Sequence, residues 1–167
     1  PYTAPRPKSD PPVIIAALLP KMLQLAASES NGIFPVFITP EHTARLRAQI
    51  GRDQLVCVQQ VAILESDQDT ARRAARGVIA FYLTLPNYLK SLRTMGFDDR
   101  DFADGGSDRL VDAMVAWGGG QALRDRIEAH YKGGATHVCV TLVRTEGSPR
   151  ERALPDERAL EALAPSA

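Results

Sequence analysis

The sequence lacks an excess of either charge: twenty lysines and arginines balance twenty aspartates and glutamates in 167 residues. No whole-chain field therefore steers it toward nucleic acid, an anionic membrane or a basic partner. It has only two cysteines, Cys57 and Cys139, each inside an apolar, strand-like run. That placement predicts buried free thiols in a reducing compartment and excludes a disulfide-stapled scaffold. No apolar run approaches the ~20 residues that span a bilayer, and the N-terminal segment has no signal-peptide core, so a cytoplasmic protein is expected. The histidines, His42, His130 and His137, lack metal-ligand spacing, and local sequence suggests no Ser/His/acid or Cys/His arrangement. His130 reads as a solvated residue at a helix end, His137 as a structural hydrogen-bonder opening a strand, and Trp117 as core packing. Gly118-Gly119-Gly120 lacks both the Lys-Ser/Thr of a phosphate loop and the spacing of a dinucleotide fingerprint, which leaves a flexible break between helices. No repeat at a solenoid period is present.

With 44% hydrophobic residues, the chain can bury a substantial core and form one domain or a large part of one. It opens on Pro1, and Pro5, Pro7, Pro11 and Pro12 follow. Residues 1–12 are therefore expected to be an extended linker, and the chain a piece of something longer. The apolar run Val13 to Leu18 has no alternation, as in a strand covered on both faces. Pro20 suits the first turn of a helix that carries Met22, Leu23, Ala26 and Ala27 and stops at Asn31-Gly32. A second strand, Ile33 to Ile38, runs into Thr39-Pro40-Glu41, which has the N-cap, first position and first-turn acid of another helix. That helix is capped by Gly51.

The third strand is Leu55 to Leu64. Its Gln59-Gln60 pair leaves open a bulge, a wet end, polar contacts in a barrel interior or, most simply, a solvated patch. Ser66 and Asp69 resemble a capping pair for a long helix, which Pro86 interrupts. A shorter helix reaches Gly96, the acidic stretch Phe97 to Asp104 reads as a loop, and Ser107 caps a helix ending near Trp117-Gly118. Another helix starts within Gly119 to Gln121 and stops at Gly133-Gly134. Thr136 to Val143 is the fourth strand, and residues 144–167 form a polar tail with a short helix. The order predicts an α/β fold of parallel strands joined by crossovers.

Four ordered blocks, AALLPKMLQLAASESNG, PVFITPEHTARLR, GGSDRLVDAMVAWG and GGATHVCVTLV, resemble landmarks of the luciferase-like monooxygenase superfamily. They look most like its deazaflavin-dependent oxidoreductases. The resemblance implies a partial (β/α)8 TIM-type barrel: residues 13–143 would be its C-terminal half, with about four parallel strands and extra helices. Active sites of such barrels lie at the C-terminal ends of the strands. By resemblance, Ala17, Leu18 and Leu19 would present backbone N–H groups to a cofactor phosphate and ribityl chain, with Thr39 adding a hydroxyl and His42 a donor. The cofactor of the intact protein would be a deazaflavin (coenzyme F-420) or FMN. Relatives commonly have glycine where this chain has Leu19. The implied activity is hydride transfer between deazaflavin and a small organic substrate. A flavin-dependent monooxygenase and a non-catalytic half-barrel for assembly or cofactor binding are the alternatives. With half the pocket elsewhere, the chain alone is expected to be inactive, and its exposed strand edges predict a homo-oligomer.

Overall fold

The computed structural model describes residues 7–147 and 154–164. Part of the Pro-rich opening and part of the polar tail therefore lie outside the described residues. The elements are β1 (Ile14–Ile15), α1 (Pro20–Glu29), β2 (Gly32–Ile33), α2 (Pro40–Ile50), β3 (Leu55–Leu64), α3 (Gln68–Leu83) and α4 (Pro86–Thr94). They continue with α5 (Asp99–Phe102), a 3-10 turn (Ala103–Gly105), α6 (Asp108–Met114), β4 (Val115–Gly118), α7 (Gly120–Lys132), β5 (His137–Leu142) and α8 (Glu157–Leu163). All strand pairings are parallel, and β3 is the strand on which β2, β4 and β5 converge. Among the described residues no helix is long and apolar enough to cross a membrane.

The sheet has one strand more than the sequence suggests, and two that are shorter. β2 stops after Ile33 because Pro35 offers no N–H to a ladder and Phe37 has a left-handed φ of 63°. The pairing between β2 and β3 covers only Leu55 and Val56, while β5 runs along the other edge from Cys57 to Ala62. The edge that β2 gives up is taken by β4, paired with Val61 to Leu64. Val115 to Gly118 is thus a strand, not the end of a helix. Trp117 is half-buried on it, its indole N–H donating to Asp112 Oδ1 at 2.9 Å. The three glycines are not a flexible break either: Gly118 closes β4 and Gly119 N-caps α7.

Strand alternation sorts the core into layers. Val56 and Val58 pack with Ile33, Leu23, Ala26 and Leu46 beneath α1 and α2. On the opposite face, Val61, Ile63 and Val115 pack against Ile79, Leu92, Leu110 and Phe97 from the helices between β3 and β4. Farther back on that face, Cys57, Gln59, His137, Cys139 and Thr141 share one side, and it is open. The thiols are free, as expected, but Cys57 is half-buried and Cys139 exposed, because both point to this uncovered side.

Four other local expectations change. Gln60 is not solvated: it is 1% exposed, its amide donating to Val61 O at 2.8 Å and Met114 O at 3.0 Å. His130 is fully buried, because α7 lays it against β3 and α2. The cap of α3 is Asp67, accepting from Thr70 N at 2.9 Å, not Ser66. The acidic stretch folds into α5, where Asp98 and Asp101 form a reciprocal capping box.

Gly32 marks the closest approach in the sheet. A Cβ there would lie 2.3 Å from Leu55 O and 2.6 Å from Leu55 Cβ. Backbone cannot yield as a side-chain tip does, so Gly32→Ala must part β2 from β3. The expected cost is about 3 kcal/mol in urea unfolding; a loss under about 0.5 kcal/mol, the range of an indifferent surface change, would contradict this packing.

Candidate functional site

The C-terminal ends of β1 and β2 deliver the chain into the N-termini of α1 and α2. From sequence these two starts look alike, each with proline at the first helical position. Their chemistry differs. At α1 the N-cap is Leu19, extended at φ −116° and ψ 157°, with no side-chain cap and no acid in the first turn. Pro20 has no N–H to leave unpaired, but the amides of Lys21 and Met22 have no intrahelical acceptor. Leucine is unstrained in this conformation, so the position does not demand the glycine that the family resemblance led one to expect.

At α2 the donors are already used. Thr39 Oγ1 accepts from His42 N at 3.2 Å. Glu41 sits in the first turn, and its carboxyl is held below the usual range first by a hydrogen bond with its own backbone amide, against the effect of burial, with help from the Thr39 hydroxyl. This helix start carries its own anion and repels a second. The start of α1 is the one suited to a phosphate.

Beside it lies a cavity of about 230 Å³. Ala16, Ala17, Leu18, Leu19 and Met22 form one wall, Phe34 and Val36 another, and Asn87 and Tyr88 of α4 a third. The structure thus brings Ala17, Leu18 and Leu19 together, while Thr39 and His42 are buried outside this lining. No charged side chain lines the cavity, so it suits a neutral or apolar group. Burial, with Tyr82 nearby, pushes the Tyr88 phenol up, and it remains a hydrogen-bond donor through the ordinary pH range. Behind it Phe37 stacks on Tyr82 with centroids 4.6 Å apart and an 8° interplanar angle, and Tyr88 meets Tyr82 edge-on at 4.8 Å. The stack holds Phe37 in its left-handed conformation, which costs about 1–2 kcal/mol for an L-residue.

Asn87 and Tyr88 escape sequence reading because they reach the cavity across a long-range packing contact; the one local signal is Pro86, which restarts the helix and aims its first turn. A wider groove of about 500 Å³ lies between α1 and α2, lined by Leu23, Ala27, Gln49 and Ile50, toward the far ends of those helices. Among the described residues no three His, Cys, Asp or Glu are placed to hold a metal ion.

The family model described as luciferase-like monooxygenase matches residues 1–137. The chain belongs to this family. Among solved structures, it is similar to the coenzyme F420 dependent tetrahydromethanopterin reductase from Methanopyrus kandleri, at 21% identity and a TM-score of 0.65. That match covers 91% of this chain and 48% of the reductase. An F420-dependent secondary alcohol dehydrogenase matches at 12% identity and a TM-score of 0.62, over 96% of this chain and 51% of the other. Apo-MsnO8 matches at 18% and 0.51, over 98% and 53%. At these identities the likeness is one of fold. The luciferase-like chain spans about half the length of each, as a half-barrel should. Comparison with curated protein sequences finds no match.

Two buried histidines tie this site to pH. His42 is pushed down from 6.5 to about 4, first by burial and then by Arg45, and His130 likewise, by burial and Arg126. Below pH 6.5 the unfolded chain takes up these protons and the folded chain does not. Stability is therefore complete above about pH 6.5 and falls as pH drops toward 4, by at most about 3 kcal/mol for each histidine. Urea unfolding at pH 7 and 4.5 should show this loss, and His42→Phe should shrink it. Equal stability at both values would refute it.

Proposed function

We propose that this chain supplies the cofactor-anchoring half of a luciferase-like oxidoreductase that moves hydride between a deazaflavin, coenzyme F-420, and a small organic substrate. The observation that carries this reading is the uncapped, acid-free start of α1 opening onto an uncharged cavity at the strand ends. Both F420-dependent neighbours support the choice of cofactor. FMN, in a monooxygenase of the same family, is the second reading, since the donor set fits any phosphorylated flavin-like group.

The amides of Lys21 and Met22 would hold the phosphate, with the Lys21 ammonium adding charge. Ala17, Leu18 and Leu19 would lie along the chain that links phosphate to ring, and Tyr88 and Asn87 would offer hydrogen bonds from α4. Thr39 and His42 would act behind them by keeping α2 in place. When bound, the deazaflavin supplies or accepts the hydride. The residues named here bind, orient and keep water from one side of it.

A cavity of 230 Å³ is below the ~300–1,000 Å³ that encloses a whole ligand, so the site needs a second wall. The open side of β3 and β5 and the edge of β5 that is unpaired among the described residues are where a complementing half would join, and for the isolated chain we place a second copy there.

Fluorescence titration with F-420 and with flavin mononucleotide tests the anchor. Saturable F-420 binding is expected, weakened about fivefold to tenfold by Lys21→Glu, which puts an anion at the helix start. Binding unaffected by that change would move the phosphate elsewhere, and no binding of either cofactor would favour the non-catalytic reading. Light scattering should show a dimer or larger; a monodisperse monomer at high concentration would remove the second copy.

A further inference from the structure

Both cysteines of the chain face the open side of the sheet, from adjacent strands. In the ladder between β3 and β5, Cys57 stands opposite His137 and Cys139 opposite Gln59. The two thiols are therefore diagonal neighbours on one face, one strand across and two residues along. Cys57 is half-buried, Cys139 is exposed, and both are free. Each feels the other: burial pushes the Cys57 thiol up, against a hydrogen bond with Thr136, and the charge of Cys139 adds to the rise.

The spacing decides what such a pair can hold. A strand separation of ~4.8 Å and two rises of ~3.3 Å put the Cα atoms roughly 8 Å apart. A disulfide needs them within about 7 Å, so direct oxidation would have to move a strand. Two metal–thiolate bonds of ~2.3 Å span about 4.6 Å instead, a separation that thiols leaning toward each other reach by rotation about χ1. Zinc takes three or four protein ligands, and among the described residues no three His, Cys, Asp or Glu are placed to hold one ion. Gln59 and Thr141, on the same side, are hard donors already bonded to each other at 2.8 Å. The pair therefore suits a soft ion content with two sulfurs.

We propose that Cys57 and Cys139 together bind one closed-shell monovalent ion, Cu(I), as a two-coordinate dithiolate. The ion displaces both thiol protons: Cu(I) and two S–H groups give a singly negative bis-thiolate and two free protons, with no change of oxidation state. It ties the edge strand β5 to β3. Cys57 is the third residue of β3, so the ion sits near the start of that strand, away from the cavity at the strand ends. The cofactor anchor and the metal are thus separate, and either can fail without the other.

The test is titration of the reduced chain, without oxygen, with Cu(I) in competition against a chromophoric chelator, and with Ag(I) as a redox-inert substitute. One ion per chain and the release of two protons are expected. Cys139→Ser, at an exposed position where the fold is retained, should weaken binding by more than the ~10–100-fold that loss of an outer-shell partner costs. Cys57→Ser should do the same, and His137→Ala should leave affinity unchanged. Bound Cu(I) should slow amide exchange in β5 and leave α1 as it was. Undiminished affinity in Cys139→Ser, a loss in His137→Ala as large as in the serine variants, or one ion for every two chains would each overturn the proposal. So would a Cys57–Cys139 disulfide in the chain treated with glutathione disulfide, since the diagonal spacing excludes it.

Discussion

A buried chain of hydrogen bonds through Gln60, His130 and Thr43 holds together the elements that position the site. Its directions follow from the chemistry of the amide. Gln60 spends its N–H groups on Val61 O and Met114 O, so its Oε1 must accept, and His130 Nε2 at 2.9 Å must donate. Neutral imidazole then has Nδ1 free to accept, and the Thr43 hydroxyl, also at 2.9 Å, donates to it. One proton arrangement satisfies every member, and it locks β3, α7 and α2 to one another. Removing any link strands the next buried group, which is why such a chain specifies a structure more than it stabilises one. The same helix, α7, carries Arg126, whose guanidinium donates to Asp112 O and Ala113 O, both at 2.7 Å, and so caps the end of α6 just before β4. It ends at Gly133, where a Cβ would come within 2.8 Å of Pro40 O. The start of α2 is thus set by contact with α7, not by the loop before it.

Given that frame, the difference between the two helix starts becomes a functional distinction. Both have proline in the first turn and both leave a strand at the same end of the sheet. Glu41 decides between them, since a carboxylate in the first turn fills the role an incoming phosphate would take, and Thr39 spends its hydroxyl on the same turn. At α1 nothing competes, and Leu19 lines both the helix start and the cavity. A ligand with a phosphate at one end and a neutral, largely apolar body meets complementary chemistry along one line.

What the sequence showed depended on whether the cause was local. Proline at the start of α1 and α2, glycine after α2 and the Ser107 cap of α6 act within a few residues, and each of these helix ends stands where expected. The apolar runs revealed the sheet but not its lengths, because β2 ends through Phe37, whose left-handed backbone depends on a stack with Tyr82 far along the chain. β4 was hidden for a similar reason: Val115 to Gly118 follows α6 without a break, and only the edge vacated by β2 makes it a strand. His130 and Gln60 read as polar and exposed because each is satisfied by a partner seventy residues away. At the site, Ala17 to Leu19 were legible from the strand-to-helix passage, whereas Asn87 and Tyr88 arrive from α4 by packing alone.

The open side of the sheet gives the remaining polar residues their meaning. Cys57, Gln59, His137, Cys139 and Thr141 alternate with buried or half-buried neighbours, so they share one side, and Gln59 donates to Thr141 Oγ1 across the ladder at 2.8 Å. A side destined for water all along would not stay this free of charge; among these residues none is permanently ionised. Nor would a core side carry so many polar atoms. Neutral polar groups tied to one another are what the interior of a closed parallel barrel requires, where side chains meet others of their kind and little water. The cavity at the strand ends is likewise uncharged: Tyr88, with its phenol pushed up by burial, is the titratable group in its lining. The proposed half-barrel would therefore meet a cofactor's phosphate with the α1 amides and Lys21 and its body with neutral groups, and a second half would be needed to close over it.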